Sequence, residues 1–265
     1  MRYIYDHDLH IHSVLSSCSR DAQQSNERIL EYALKNGLST ICLTDHFWDS
    51  AVEGASAWYS NQNYEHISKA KPLPQADGVK FLFGCETELN KLLTLGVSAE
   101  NFDKFDFIVI PTTHFHMKDY TLYPEELATP SARASAWVKR LDAVLRMELP
   151  FHKIGFAHLT CGLIAPTAEE YLEALSLIPE KDMVRLFTRM AGAGAGVEIN
   201  SADMKFEYGG AETVLRPYRI AKECGCKFYL GSDAHHPPEL DAAGEFFERA
   251  VDLLNLCEND KFIIA

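Results

Sequence analysis

Seven short apolar runs, each closing on polar side chains, constrain this chain more than any other feature. They span residues 5–12, 40–46, 79–88, 105–114, 153–160, 196–201 and 227–233, and most are rich in Ile, Val, Leu and Phe, as strands are. Segments of helical period lie between them, an alternation that predicts βα units around a parallel sheet. Helices are expected over residues 25–36, 131–147, 180–190, 211–224 and 239–255. In the first of these Ser25 serves as N-cap, Glu27 favours the first turn and Gly37 supplies the stop. The small-residue run at 191–196 reads as a helix end before the sixth strand. At 265 residues the chain suits one α/β barrel, so a single domain over residues 1–265 is the simplest organisation.

The chemistry sits where the runs end. The first closes Asp8-Leu9-His10-Ile11-His12, and a period of two places Asp8, His10 and His12 on one face. The others close on Asp45 and His46, Glu86 and Glu88, His114, His158, Glu198 and Asn200, and Asp233 with His235. In parallel barrels the C-terminal strand ends form one face, so residues this far apart can converge. A single histidine is more often a surface or satisfied core residue; six of the eleven at strand ends, with Glu86 and Asp233, reverse that expectation. Imidazole and carboxylate without paired thiolates suit Zn, Mn or Fe. The donors outnumber what one tetrahedral ion can use, which predicts two or three divalent ions.

The pieces DLHIHS at 8–13, TDH at 44–46, GCETEL at 84–89, TTHFH at 112–116, AHLT at 157–160, EINS at 198–201 and GSDAH at 231–235 resemble, in order and spacing, the PHP family of polymerase and histidinol phosphatase domains. The resemblance covers essentially the whole chain. It implies a distorted (β/α)7 TIM-like barrel with its active site at the C-terminal ends of the parallel strands. It also implies a trinuclear centre: His10, His12, Glu86 and Asp233 on a first metal, Glu86 bridging to a second held by His114 and His158, and His46 and His235 on a third. Asp45, Glu198 and Asn200 would orient imidazoles and bound water. Where histidinol-phosphatase-like members carry a further His, this chain offers Cys18 within Ser16-Ser17-Cys18-Ser19-Arg20-Asp21, so either Cys18 or Asp21 completes the third site or that site is weak and partly occupied. A thiolate there favours a softer ion such as Zn.

The implied activity is hydrolysis of a small phosphomonoester, histidinol phosphate among the options, by metal-activated water and without a nucleophilic side chain. The alternatives are a nuclease or nucleotide phosphoesterase and a non-enzymatic metal-binding barrel. A formal charge of −13 disfavours a long nucleic acid partner. No apolar run approaches the roughly 18 residues of a membrane span, and the N-terminus has no signal core, so a cytoplasmic protein is expected. Seven cysteines without scaffold spacing read as reduced thiols, with Cys42 and Cys85 in the core. The segments 48–63 and 117–129 are long for connections and read as lids or substrate loops, although Trp48, Trp58 and Tyr59 more often pack such a loop than stack on a ligand. His116 and His236 adjoin the metal face, His7, His66 and His152 read as solvent or packing residues, and no arginine stands out as a phosphate clamp, Arg20 included.

Overall fold

The computed structural model describes residues 1–206 and 209–264. Strands β1 (His7–Ile11), β2 (Thr40–Leu43), β3 (His46–Phe47), β4 (Lys80–Phe83), β5 (Cys85–Thr87), β6 (Ile108–Pro111), β7 (Ile154–Ala157), β8 (Gly196–Asn200) and β9 (Lys227–Gly231) form two parallel sheets. One has the order β1-β2-β4, the other β3-β5-β6-β7-β8-β9. The second and third apolar runs thus each supply one strand to each sheet. The breaks are bridged by Thr44 N donating to Ile11 O at 2.8 Å and Gly84 N donating to Leu43 O at 2.7 Å. Beyond β9 the chain returns to β1: Asp233 N donates to His10 O at 2.7 Å and His12 N to Ala234 O at 3.1 Å.

Helices α1 (Asn26–Asn36), α2 (Tyr64–Ile67), α3 (Pro130–Leu145), α4 (Ala168–Leu177), α5 (Glu180–Ala193), α6 (Ala211–Glu223) and α7 (Pro237–Leu253) complete the alternation. Ser25 caps α1 by accepting from Arg28 N, and Gly37 ends it in the left-handed region at φ 66°. Gly194, at φ 81°, ends α5 within the small-residue run. Helix α4 was not among the expected ones, yet its signal is present: Thr167 caps it, and Tyr171, Ala174 and Leu175 are its buried stripe.

Two apolar layers separate the elements. Leu9, Cys42, Leu82, Phe107, Val109, Ala157, Tyr229 and Phe262 form an inner cluster. The larger cluster joins the strands' other faces to the helices, through residues such as Ile11, Ile41, Ile108, Phe156 and Val197 with Ile29, Trp137, Phe187 and Phe247. Gly155 is needed between the layers, since an added Cβ would press on the rings of Phe107 and Tyr229. Cys42 and Cys85 are fully buried as expected, and all seven cysteines are free thiols. Among the described residues no helix is long and apolar enough to cross a membrane.

The first strand departs from the simple alternation. Its pairing with β2 slips between Asp8 and Ile11, so Asp8 does not join His10 and His12. Its carboxylate instead accepts from the Tyr32 hydroxyl of α1 at 3.0 Å and from Ser232 N at 3.0 Å.

Candidate metal centre

His10 and His12, two residues apart at the end of β1, face the same space, with their Nε2 atoms 3.1 Å apart. Both are fully buried, as is Glu86 from the following sheet. Glu86 Oε1 lies 3.7 Å from His10 Nε2 and its Oε2 3.4 Å from His12 Nε2, while Asp233 Oδ1 lies 3.4 and 3.0 Å from the same two nitrogens. Nitrogen and oxygen ligands at about 2.0–2.2 Å from a tetrahedral ion sit roughly 3.3 Å from one another, which is the spacing of these donors. His158 Nε2 continues the array, 3.6 Å from Glu86 Oε1 and 3.4 Å from Asp233 Oδ2. His158 and Asp233 take left-handed backbone angles, φ 59° and 54°. Such angles are uncommon outside glycine and cluster where function holds them.

Four groups of donors lie within 4.8 Å of one another: His10, His12, Glu86 and Asp233; Glu86, His114 and His158; His12, His46 and His235; and His10, His158 and Glu198. The first two repeat the sets that the sequence resemblance implied, and the third adds His12 to the expected pair. Cys18 Sγ lies 3.2 Å from His46 Nε2. Asp21 is elsewhere, its carboxylate accepting from Gln23 N, and Arg20 is exposed to solvent.

Whether these residues fit cations can be read from their hydrogen bonds. Both carboxylate oxygens of Glu86 are buried without a hydrogen-bond partner, as are His46 Nδ1 and His235 Nε2. His46 Nδ1 comes within 2.7 Å of Glu86 Oε2, but without hydrogen-bonding geometry. Buried polar groups almost always find partners, and buried charges are paired or bind metals. Imidazole nitrogens and carboxylate oxygens that converge without hydrogen-bonding geometry are what divalent cations satisfy.

The surroundings aim these side chains. Glu198 Oε1 bonds His10 Nδ1 at 2.5 Å, while its Oε2 accepts from His158 N and from Asn200 Nδ2. Asp45 accepts from Ser13 N, Ser13 Oγ and Ser16 Oγ, and Ser16 Oγ in turn meets His12 Nδ1 at 2.8 Å. Asp45 thus acts on His12 through a serine. Two further supports were not foreseen. Glu88 Oε2 lies 2.9 Å from His114 Nδ1, and its Oε1 accepts from the fully buried Arg140 at 3.0 Å.

Burial depresses the buried imidazoles, but at His10 the carboxylates of Glu198, Asp233 and Glu86 outweigh it and raise its pKa well above the usual range. At His12 burial wins, helped by His235 and His46, and the pKa falls well below it. Burial also disfavours charge on Glu86, yet His46 and His10 hold its carboxyl well below the ordinary value. At Cys18 burial opposes ionisation, but the neighbouring His235 and His46 imidazoles bring the thiol down to about 7.

Above the cluster opens a cavity of about 570 Å³, walled by Trp58, Tyr59, His116, Met117, Leu163 and His236 among others. His116 and His236 therefore do adjoin the metal face. Trp48 and Tyr59 are buried, so the 48–63 loop is largely packed down, and Trp58 is its aromatic edge left part-exposed. His7 hydrogen-bonds Leu230 N and His66 meets Leu15 O, and neither lines this cavity.

Parallel sheets whose strand C-termini gather imidazoles and carboxylates around a cavity define a metal-binding α/β protein. The family follows from the sequence itself: the PHP domain profile matches residues 8–202, and the chain belongs to that family. No curated protein matches it. Among solved structures it is similar to histidinol phosphate phosphatase from Lactococcus lactis subsp. lactis Il1403, complexed with zinc, L-histidinol and phosphate. That likeness has a TM-score of 0.55 and 16% identity over 92% of this chain and 93% of that one. Weaker likenesses are PsfC from Pseudomonas syringae PB-5123, with a TM-score of 0.44 and 16% identity over 89% of this chain and 78% of that one, and the unique metal-dependent tyrosine phosphatases YwqE from Bacillus subtilis and CpsB from Streptococcus pneumoniae. That last likeness has a TM-score of 0.39 and 15% identity over 96% of each chain.

Proposed function

We propose that this chain is a metal-dependent phosphoesterase that hydrolyses a small phosphomonoester in the cavity over the strand ends. The observation that carries the reading is the set of orphaned buried donors around Glu86, which matches what two or three divalent cations require. His10, His12, Glu86 and Asp233 would hold one ion; Glu86, His114 and His158 a second; His46 and His235, with Cys18 beside them, a third. Such ions supply Lewis acidity and bring the pKa of coordinated water from about 15.7 to near 7. Zn, Mn and Fe all suit these donors, and Cys18 tilts the third site toward Zn.

The chain's own residues supply placement. Glu198, Asn200 and Asp45 with Ser16 fix the imidazole orientations. No lysine or arginine lines the cavity among the described residues, whereas Glu86, Asp233 and Glu239 do. Extended polyanions are therefore poor substrates, which favours a small monoester over an oligonucleotide. The likeness to histidinol phosphate phosphatase makes histidinol phosphate the first ester to try. We infer too that the seven runs close as a distorted (β/α)7 barrel, supported by the bonds from Asp233 and Ala234 back to β1. Free thiols throughout suit a reducing compartment such as the cytoplasm.

The test is a hydrolysis screen of protein reconstituted with Mn, Zn or Fe against histidinol phosphate, other phosphomonoesters, nucleotides and short single-stranded oligonucleotides. Phosphate release from a small ester, abolished by chelation, is expected, and Asp233→Ala should lose bound metal and turnover together. Full turnover by a metal-poor Asp233→Ala protein would sink the reading; release from nucleotides or oligonucleotides alone would replace the substrate class.

A further inference from the structure

Tyr59 sits in the loop between β3 and α2 and is completely buried, yet its hydroxyl has no hydrogen-bond partner. Packing accounts for the ring. Its centroid lies 4.7 Å from that of Trp58, 5.8 Å from Tyr120 and 6.0 Å from Trp48, with an edge-on contact to His46 at 6.1 Å. Packing does not account for the oxygen. A phenylalanine would fill the same space without leaving a polar group unsatisfied, and a buried tyrosine usually finds its hydroxyl a partner.

Position supplies the reason. Tyr59 lines the cavity together with His46, Glu86, His114 and His158. The hydroxyls of Thr87, Thr112, Tyr120 and Tyr229 also lack partners, but none of these four residues lines that cavity; of the tyrosines so placed, Tyr59 is the one that does. With no lysine or arginine on its wall among the described residues, the cavity offers an entering phosphoryl group no fixed cationic side chain. Its oxygens still require O–H or N–H donors on the faces turned away from the metals. A phenol, with an ordinary pKa near 10, keeps its proton at neutral pH and supplies one.

We infer that the Tyr59 hydroxyl donates a hydrogen bond to the phosphoryl group of the substrate, serving as an uncharged clamp where an arginine would be expected. The inference rests on the phosphoesterase reading above and adds a substrate-contacting side chain to it. It also explains the orphaned hydroxyl as a ligand contact waiting for its acceptor.

The experiment compares wild type with Tyr59→Phe, both loaded with Mn or Zn. Metal content is measured by mass spectrometry, inorganic phosphate affinity by calorimetric titration, and kcat and KM on the ester that the screen identifies. Hydrogen bonds to charged groups contribute enough that Tyr59→Phe should weaken phosphate binding about tenfold or more. Metal content should stay unchanged and Tm should be at or above the wild-type value. Phosphate affinity within twofold of wild type, at full metal content, would overturn the inference. So would loss of metal from Tyr59→Phe, which would make the residue a support for His46. The titration needs no turnover, so a wild type that binds phosphate but hydrolyses nothing defeats the phosphoesterase reading alone. A loaded wild type that binds no phosphate defeats both.

Discussion

Arg140 shows how much a single side chain can be asked to hold. Its guanidinium donates to Thr112 O, Thr121 O and Leu89 O as well as to Glu88, so it ties three loop segments to α3 without exposing any of its surface. Glu88 passes that order to His114. A buried ion pair contributes little net stability, but removing one partner leaves the other stranded. A carboxylate that holds the far nitrogen of a metal-binding imidazole also fixes its tautomer and raises its basicity. Glu88→Gln keeps the shape and removes the charge, and we expect it to lower metal affinity about 10- to 100-fold, read by competition with a chelating dye. Unchanged affinity would leave Glu88 as a partner for Arg140 only. Neither residue announces this role in the sequence. Arg140 lies in a helix of mixed polarity where a basic residue reads as surface, and only the tertiary fold shows where it points.

At the scale of the element, the strand ends do most of the positioning. Every metal-capable residue singled out at a strand terminus was legible because an apolar run that stops on a polar group marks both an element boundary and an exposed edge. That pattern placed His10, Glu86, His158 and Asp233 on one face, and the sets in which they would hold metal came from the family resemblance. The detail of β1 was not legible: alternation assumes regular pairing, and the slip that separates Asp8 from His10 belongs to the contact with β2. The breaks between β2 and β3 and between β4 and β5 escaped for the same reason. Helix α4, by contrast, carried a readable stripe and cap that went unused. Gly231 closes β9 where an added Cβ would press on the Glu198 carboxylate and on His10 Cβ. Gly231→Ala should therefore displace Glu198 from His10. We expect overpacking to cost about 1–3 kcal/mol by urea unfolding, together with weaker metal retention; a variant of wild-type stability and metal content would mean that this strand end yields freely.

Across the whole molecule, the inner cluster binds the beginning of the chain to its far end. Leu9 and Phe262 share one apolar layer, Tyr3 N donates to Leu256 O, and Phe262 N donates to Phe228 O. Phe262 packs on Phe107 and Tyr229, with ring centroids 5.8 and 6.2 Å away. Phe262→Ala should destabilise the protein by about 3–5 kcal/mol, measured by urea denaturation; a change below about 1 kcal/mol would mean that the layer refills around the gap. The same arrangement sets a schedule for synthesis. A ribosome that has released β1 to β8 has produced all but two of the clustered imidazoles and carboxylates, yet Asp233 and His235 are still to come, and the inner cluster lacks Tyr229 and Phe262 until those residues have cleared the exit tunnel. The nascent protein must carry an incomplete cluster, rich in imidazole and carboxylate, before the final strand and its aromatic plug arrive.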